Sequence, residues 1–275
     1  MSGRRDLLIA SCALALGCRA RAEAGEDLAS VRKRGVLRVA VYKEFAPFSD
    51  QGHGIDVEVG QALCAGLGLR AEFLPFDAEE KVEDDLRNMV WRGTLLGYGP
   101  ADVMLHVPVD PEFARRTPQA RIFGPYYRER LQLVRNLASI PRVDSLDALR
   151  GHPVGAEDGT LASIVLLSAD GGRLAGDLRH FHSTALALEE LKAGRLAAVM
   201  GLCSELQYGM AGAEGYAISD AVAPGLAPGG WRLVLAVKAD REELAHALQG
   251  ALDALMAAGQ VEQIFRKFNV SWTSP

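Results

Sequence analysis

A chain of 275 residues, 49% hydrophobic and 24% charged, has a globular composition that excludes a disordered or fibrous protein. It is long enough for two units of roughly 100 to 130 residues each. The net charge is −5, and without residues 1–22 it becomes −8, with 26 basic against 34 acidic residues, which argues against nucleic acid and anionic membranes as partners.

The amino terminus reads as an export signal over 1–22. Arg4 and Arg5 precede an apolar run over 7–17, and small residues close at Ala20 and Ala22. That run is too short to span a bilayer. The Arg4 and Arg5 pair also resembles a twin-arginine signal, so the general secretory and twin-arginine routes both stay open. Cys18, after LALG, fits a lipoprotein box poorly, because Ala15 and Leu16 stand where the box wants other residues.

A short, nearly continuous apolar run over 37–41 predicts a strand buried on both faces. The turn FAPF (45–48) follows its carboxyl end, where open α/β sheets form their ligand crevices. Ile55, Val59, Leu63 and Leu67 recur every four residues and put one apolar stripe on a helix. Gly66 and Gly68 stop that helix before a strand over 71–74. Residues 86–95 fit a helix, and 97–100 a loop. A strand over 131–134, a capped turn over 144–150 and a strand over 153–156 come next. A helix over 185–193 ends at Gly194, and strands over 196–200 and 233–237 follow. Asp240 with Glu243 reads as a capping box, and Leu244, Leu248, Leu252 and Leu255 form the buried stripe of a helix that Gly259 ends. Cys64 and Cys203, the cysteines left beyond residue 22, lie in different halves, so no disulfide is expected between them.

Four segments in register carry a resemblance to a known family: VLRVAVYKEFAPFSDQGHGIDVEVGQAL, FARRTPQARIFGPYYRE, SLDALRGHPVGAEDGTLAS with ALEELKAGRLAAVMG, and the tail VLAVKADREELAHALQGALDALMAAGQVEQIFRKFNV. Together they span nearly all of 31–271, and they resemble the family 3 extracellular solute-binding proteins, the periplasmic receptors of polar amino acid importers. The resemblance implies an α/β chain of the periplasmic binding protein type II fold, two α/β lobes joined by two crossover strands. Lobe 1 would comprise 27–130 plus 232–275, and lobe 2 would comprise 131–231. Two lobes on two strands can hinge around a ligand and bury it. Some family members bridge the first-helix cysteine to a position seven residues on, which here is Ala71, so that staple is missing.

The resemblance also nominates site residues. Phe45 and Phe76 fall on positions whose rings sandwich the ligand side chain, the alternative being ordinary core packing; Phe48 reads as core. Tyr42 stands where receptors for basic amino acids carry an acid, and offers a hydroxyl instead. Arg116 falls on the arginine that clamps the ligand carboxylate, a role its planar fork suits, with Arg115 as competitor and a solvated surface pair as the plain reading. Thr160 begins a helix, where it either receives an anionic group or caps the helix. His106 and Asp110 bound a stretch, HVPVD, that replaces the family's serine and threonine cluster. The second-lobe acid that pairs with the ligand ammonium aligns with Leu202, and Glu205 or Asp110 substitutes only if the register shifts. These departures favour a ligand with a carboxylate or other polar anchor, a flat or apolar part and no obligatory ammonium.

His180 and His182 share one face of a strand, but no third metal ligand is indicated. No phosphate loop or nucleophile elbow is present in the sequence. The expected protein is a monomeric, non-catalytic periplasmic receptor without cofactor. It would deliver a small polar or carboxylate-bearing ligand to the membrane permease of an ABC importer. A second reading is an accessory protein of a periplasmic quinoprotein alcohol dehydrogenase, which the long link between Phe76 and Asp102 fits. A third is a cyclohexadienyl dehydratase-like lyase, with Asp110, Glu157 or Asp158 as the acid.

Overall fold

A computed structural model describes residues 27–109, 113–221 and 229–275. The expected export signal therefore lies outside the described residues. Two five-stranded sheets carry the fold. The first has the order β2-β1-β3-β10-β4 and the second the order β7-β6-β8-β5-β9.

In the first sheet, β1 (Val36–Tyr42) pairs in parallel with β2 (Arg70–Phe76) and with β3 (Val103–Val109), while β10 (Trp231–Lys238) runs antiparallel between β3 and β4 (Ala120–Glu129). Helix α1 (Asp27–Arg34) leads in, and α2 (Ile55–Gly66) joins β1 to β2. The stripe Ile55, Val59 and Leu63 is buried, as its spacing requires, against Leu244, Leu248, Leu252 and Leu255. These leucines belong to α8 (Glu242–Ala257), and α9 (Gln260–Lys267) follows. The start of α8 departs from expectation. Arg241 occupies the N-cap, and Asp240 instead pairs with Lys238 at 2.6 Å, so no capping box forms there.

The opposite face of this sheet is covered by the long link. Helix α3 (Val82–Leu86) passes into a π-helical turn (Arg87–Trp91), which sets Leu86 and Met89 into a core with Ala40, Met104 and Val107. Trp91 packs against the same core. The expected helix over 86–95 thus ends early, and a short α4 (Phe113–Arg116) follows β3.

In the second sheet, β6 (Val154–Glu157) is parallel to β7 (Leu178–Phe181) and β8 (Ala198–Leu202), and β5 (Leu131–Asn136) is antiparallel to β8 and β9 (Tyr216–Asp220). Helices α5 (Leu161–Ser168), α6 (Thr184–Lys192) and α7 (Cys203–Gly209) cover it. Its two faces bury separate cores. Only Arg130 separates β4 of one sheet from β5 of the other, and β10 brings the chain back. Cys64 and Cys203 are both buried and unbridged. No described helix is long and apolar enough to cross a membrane.

Candidate functional site

The turn after β1 builds one wall of a cleft. Phe45 N–H donates to Ser49 O at 2.8 Å, and the Ser49 hydroxyl donates back to Tyr42 O at 2.6 Å, which folds 42–49 onto the sheet end. Gly54 makes this possible. Its φ is +136°, and a Cβ there would sit 2.2 Å from Phe48 O, so only glycine lets α2 start against the turn.

His106 stands beside these rings because β3 bulges. The register between β3 and β10 shifts between Val234 and Ala236, and His106 takes φ +60°, which re-aims its side chain. A left-handed conformation costs a non-glycine residue about 1 kcal/mol or more. What offsets it is a buried network. Nδ1 of His106 lies 3.1 Å from Asp56 Oδ2, and the Tyr126 hydroxyl donates to Asp56 Oδ1 at 2.7 Å. Asp56 is fully buried in the first turn of α2, where a helix N-terminus favours a carboxylate. Burial pushes the Tyr126 hydroxyl well above its ordinary range, so it keeps its proton and donates. The His106 ring stands edge-on to Phe45 at 4.8 Å and to Phe48 at 4.3 Å.

Tyr42 presents its ring to the cleft. Its hydroxyl donates to Asp85 at 2.8 Å, within the long link, so that group is already engaged. Phe76 lies behind Tyr42, with ring centroids 4.6 Å apart, and belongs to the core beneath. Together Tyr42, Phe45, His106, Pro108, Glu129, Leu202 and Trp231 line a cavity of about 340 Å³. Lys43, Glu44 and Ala78 complete its rim.

The crossovers supply the floor. Glu129, at the end of β4, is fully buried; it accepts from the Ser204 hydroxyl of α7 and from Arg130 N–H at 2.9 Å. Burial holds its carboxyl above the usual carboxylate range. Trp231, at the start of β10, packs against the cores of both sheets.

A second cavity of about 210 Å³ opens on the other sheet and shares Phe45, Leu202 and Trp231 with the first. Glu157, Thr160, Thr184 and Glu205 line it. The Thr184 hydroxyl lies 3.1 Å from Glu157 Oε2 and 3.0 Å from Glu205 Oε2, and its single proton serves one of them at a time. Thr184 N–H donates to Glu157 at 2.9 Å, and Leu202 N–H to Glu205 at 3.3 Å. Burial first, and the charge of Glu157 second, push the Glu205 carboxyl up to about 8. Thr160 caps α5, accepting from Ser163 N–H at 3.4 Å, while its own hydroxyl donates to Glu157 O at 2.7 Å.

The cleft thus brings together Tyr42, Phe45, His106 and Thr160 of the nominated residues, whereas Phe76 sits one layer deeper. Arg116 lines neither cavity; its guanidinium lies 3.8 Å from Glu83 on the long link and is 56% exposed. Asp110 lies outside the described residues. Sequence reasoning missed Glu129 and Trp231 as cleft residues and Asp56 as the buried support beneath His106, and treated Glu205 as a substitute needing a register shift. No shift is needed, because Glu205 in the first turn of α7 reaches back to the end of β8. His180, set aside as a metal ligand, pairs with Asp158 at 2.8 Å.

Solved structures share this architecture. An ancestral cationic amino acid solute-binding protein superposes with a TM-score of 0.70 at 21% identity, covering 88% of this chain and 98% of that one. An amino acid ABC transporter substrate-binding protein from Streptococcus pneumoniae, bound to L-arginine, gives 0.64 at 19% identity over 88% and 97% of the two chains. The second substrate-binding domain of Lactococcus lactis GlnP, in an open conformation, gives 0.63 at 22% over 86% and 96%. The fold is the two-lobe fold of amino acid solute-binding proteins, and these neighbours are binding proteins rather than enzymes. No family model matches the sequence, and no curated protein sequence matches it.

Proposed function

We propose that this chain is a non-catalytic periplasmic solute-binding protein that closes two lobes on a small polar ligand and presents it to the permease of an ABC importer. The observation that carries this reading is the pair of cavities sharing Phe45, Leu202 and Trp231, with one wall on each sheet and both crossovers at the floor. Aromatic faces with a few convergent polar groups are the usual make-up of a small-molecule site. Neighbours of the same fold include a protein bound to L-arginine and a domain caught open, as a hinged receptor requires.

The exposed end of the long link, rather than Met89 or Trp91, supports a partner-facing surface. Met89 is fully buried and Trp91 packs on the core, so neither offers a surface to a dehydrogenase partner. Leu95 and Leu96, at 99% and 97% exposure, form its tip instead. We assign that tip to the same importer partner.

The test is ligand-dependent compaction. A thermal-shift screen of small polar solutes identifies a ligand by mass action, and small-angle scattering then measures the radius of gyration with and without it. A saturating ligand that stabilises the protein and shrinks the radius supports the reading. A ligand that raises the melting temperature without compaction, or no hit across amines, amino acids and carboxylates, refutes it.

A further inference from the structure

Resting on that reading of the cleft, we infer that the ligand is an organic amine that needs no carboxylate, its ammonium held between Glu157 and Glu205 and its hydrocarbon part laid against Phe45 and Trp231. The charge of the lining points this way. Glu129, Glu157 and Glu205 face the two cavities and Glu44 stands at the rim, whereas Lys43 is the one Lys or Arg among the described lining residues. That ammonium already lies 3.0 Å from Asp77. A ligand carboxylate would therefore meet like charge with no free cation in the lining, and Arg116 is not there to receive it.

The hydrogen-bond count agrees. Three donors, Thr184 N–H, the Thr184 hydroxyl and Leu202 N–H, converge on one oxygen of each glutamate, Oε2. Oε1 of Glu157 and Oε1 of Glu205 receive no hydrogen bond from the described residues. Two carboxyls sharing one hydroxyl proton leave acceptor oxygens without a donor from the described residues, and a protonated amine supplies three donors and the positive charge that lets both ionise. Burial penalises two carboxylates left so close, which an ammonium between them relieves.

The rest of the lining suits the remainder of such a molecule. Phe45 and Trp231 border the same cavity as the two glutamates, and aromatic faces attract a cation and cover hydrocarbon alike. The 340 Å³ cavity beyond them is walled by Tyr42, His106 and Pro108, which gives an aryl or alkyl chain an apolar berth. Arginine-binding neighbours share the fold, but their ligand brings a carboxylate for which this lining has no counterpart.

Matched pairs that differ only by the α-carboxylate test the inference: 2-phenylethylamine against L-phenylalanine, cadaverine against L-lysine and agmatine against L-arginine, by calorimetry on the full mature chain. At least one amine is expected to bind more than about tenfold tighter than its amino acid. Glu205→Gln and Glu157→Gln, which keep shape and remove charge, should each weaken that amine about tenfold or more without lowering the melting temperature of the free protein. If the amino acid of every pair binds as tightly as its amine, the inference fails while the receptor reading stands. Unchanged amine affinity in both variants also overturns it. Binding by no member of any pair, nor by simple carboxylates, overturns the receptor reading itself.

Discussion

Glu205 accepts the backbone N–H of Leu202 at 3.3 Å, which returns a carboxylate to the carboxyl end of β8 from three residues further along the chain. The strand-end position itself is a leucine, and the next turn of backbone restores the acid in space. Glu157 approaches from the neighbouring strand β6, and Thr184 ties the two together. The second lobe of the cleft is therefore acidic although its most obvious acidic position is not.

Titration of Glu205 makes stability and affinity move in opposite directions. Glu205 is held at about 8, against 4.5 for an ordinary glutamate. A carboxyl raised on folding contributes its full stability below its unfolded value, near pH 4.5, and loses that contribution as pH rises through about 8. Urea midpoints should fall across that window and fall less in Glu205→Gln. Affinity for a bound amine should rise over the same window, because only the ionised carboxylate pairs with an ammonium. A flat affinity profile with the unmodified protein would contradict the assignment.

Asp56 should be indispensable to lobe 1. Removing its carboxylate leaves the buried Tyr126 hydroxyl and His106 Nδ1 without their partner, and orphaning buried polar groups costs about 1–3 kcal/mol each. Asp56→Ala is expected to lose about 3 kcal/mol in urea unfolding, with Asp56→Asn losing less because the amide still accepts one hydrogen bond. A loss below about 1 kcal/mol for the alanine variant would show that the network is not what holds His106.

The elements that periodicity made legible are those whose side chains act through burial alone. Ile55, Val59 and Leu63 announce α2, and Leu244, Leu248, Leu252 and Leu255 announce α8, because an apolar stripe has one physical use. Polar residues in the same segments have several uses, and tertiary context chooses. Asp240 looks like a cap but pairs with Lys238, and Asp56 looks like a helix-dipole acid but is sealed beneath His106. The bulge that turns His106 depends on pairing between β3 and β10, far apart in sequence, so no local pattern records it. Arg116 illustrates the same limit: its alignment points to the cleft, while its guanidinium lies beside Glu83.

The long link divides into a structural half and an exposed tip. Trp91 packs on the core with Met89 and Leu86, so Trp91→Ala should cost about 2–4 kcal/mol and lower the melting temperature clearly. Leu95→Ser with Leu96→Ser should change stability by no more than about 0.5 kcal/mol, since both side chains are in solvent. The same double variant should weaken ligand-dependent uptake by the importer if the tip meets the permease. Thermal melts of the two variants side by side check the division.

Glycine 230 is where the two crossovers touch, and it provides a local test of the hinge. Its φ is +73°, and a Cβ would lie 1.8 Å from Glu129 O and 2.8 Å from the Arg130 Cβ, so the returning strand cannot pass the outgoing one with any side chain there. Gly229 has a similar φ of +85° but nothing within 4 Å of a Cβ. Gly229→Ala should therefore cost only the left-handed penalty, about 1 kcal/mol. Gly230→Ala adds backbone overlap that relaxes only if β10 moves off Glu129, and with it Trp231 from the cleft floor. We expect it to lose more than about 3 kcal/mol, or to fold with a larger radius of gyration and no ligand-induced compaction. Equal melting temperatures and equal compaction in the two alanine variants would show that the crossovers do not depend on this contact.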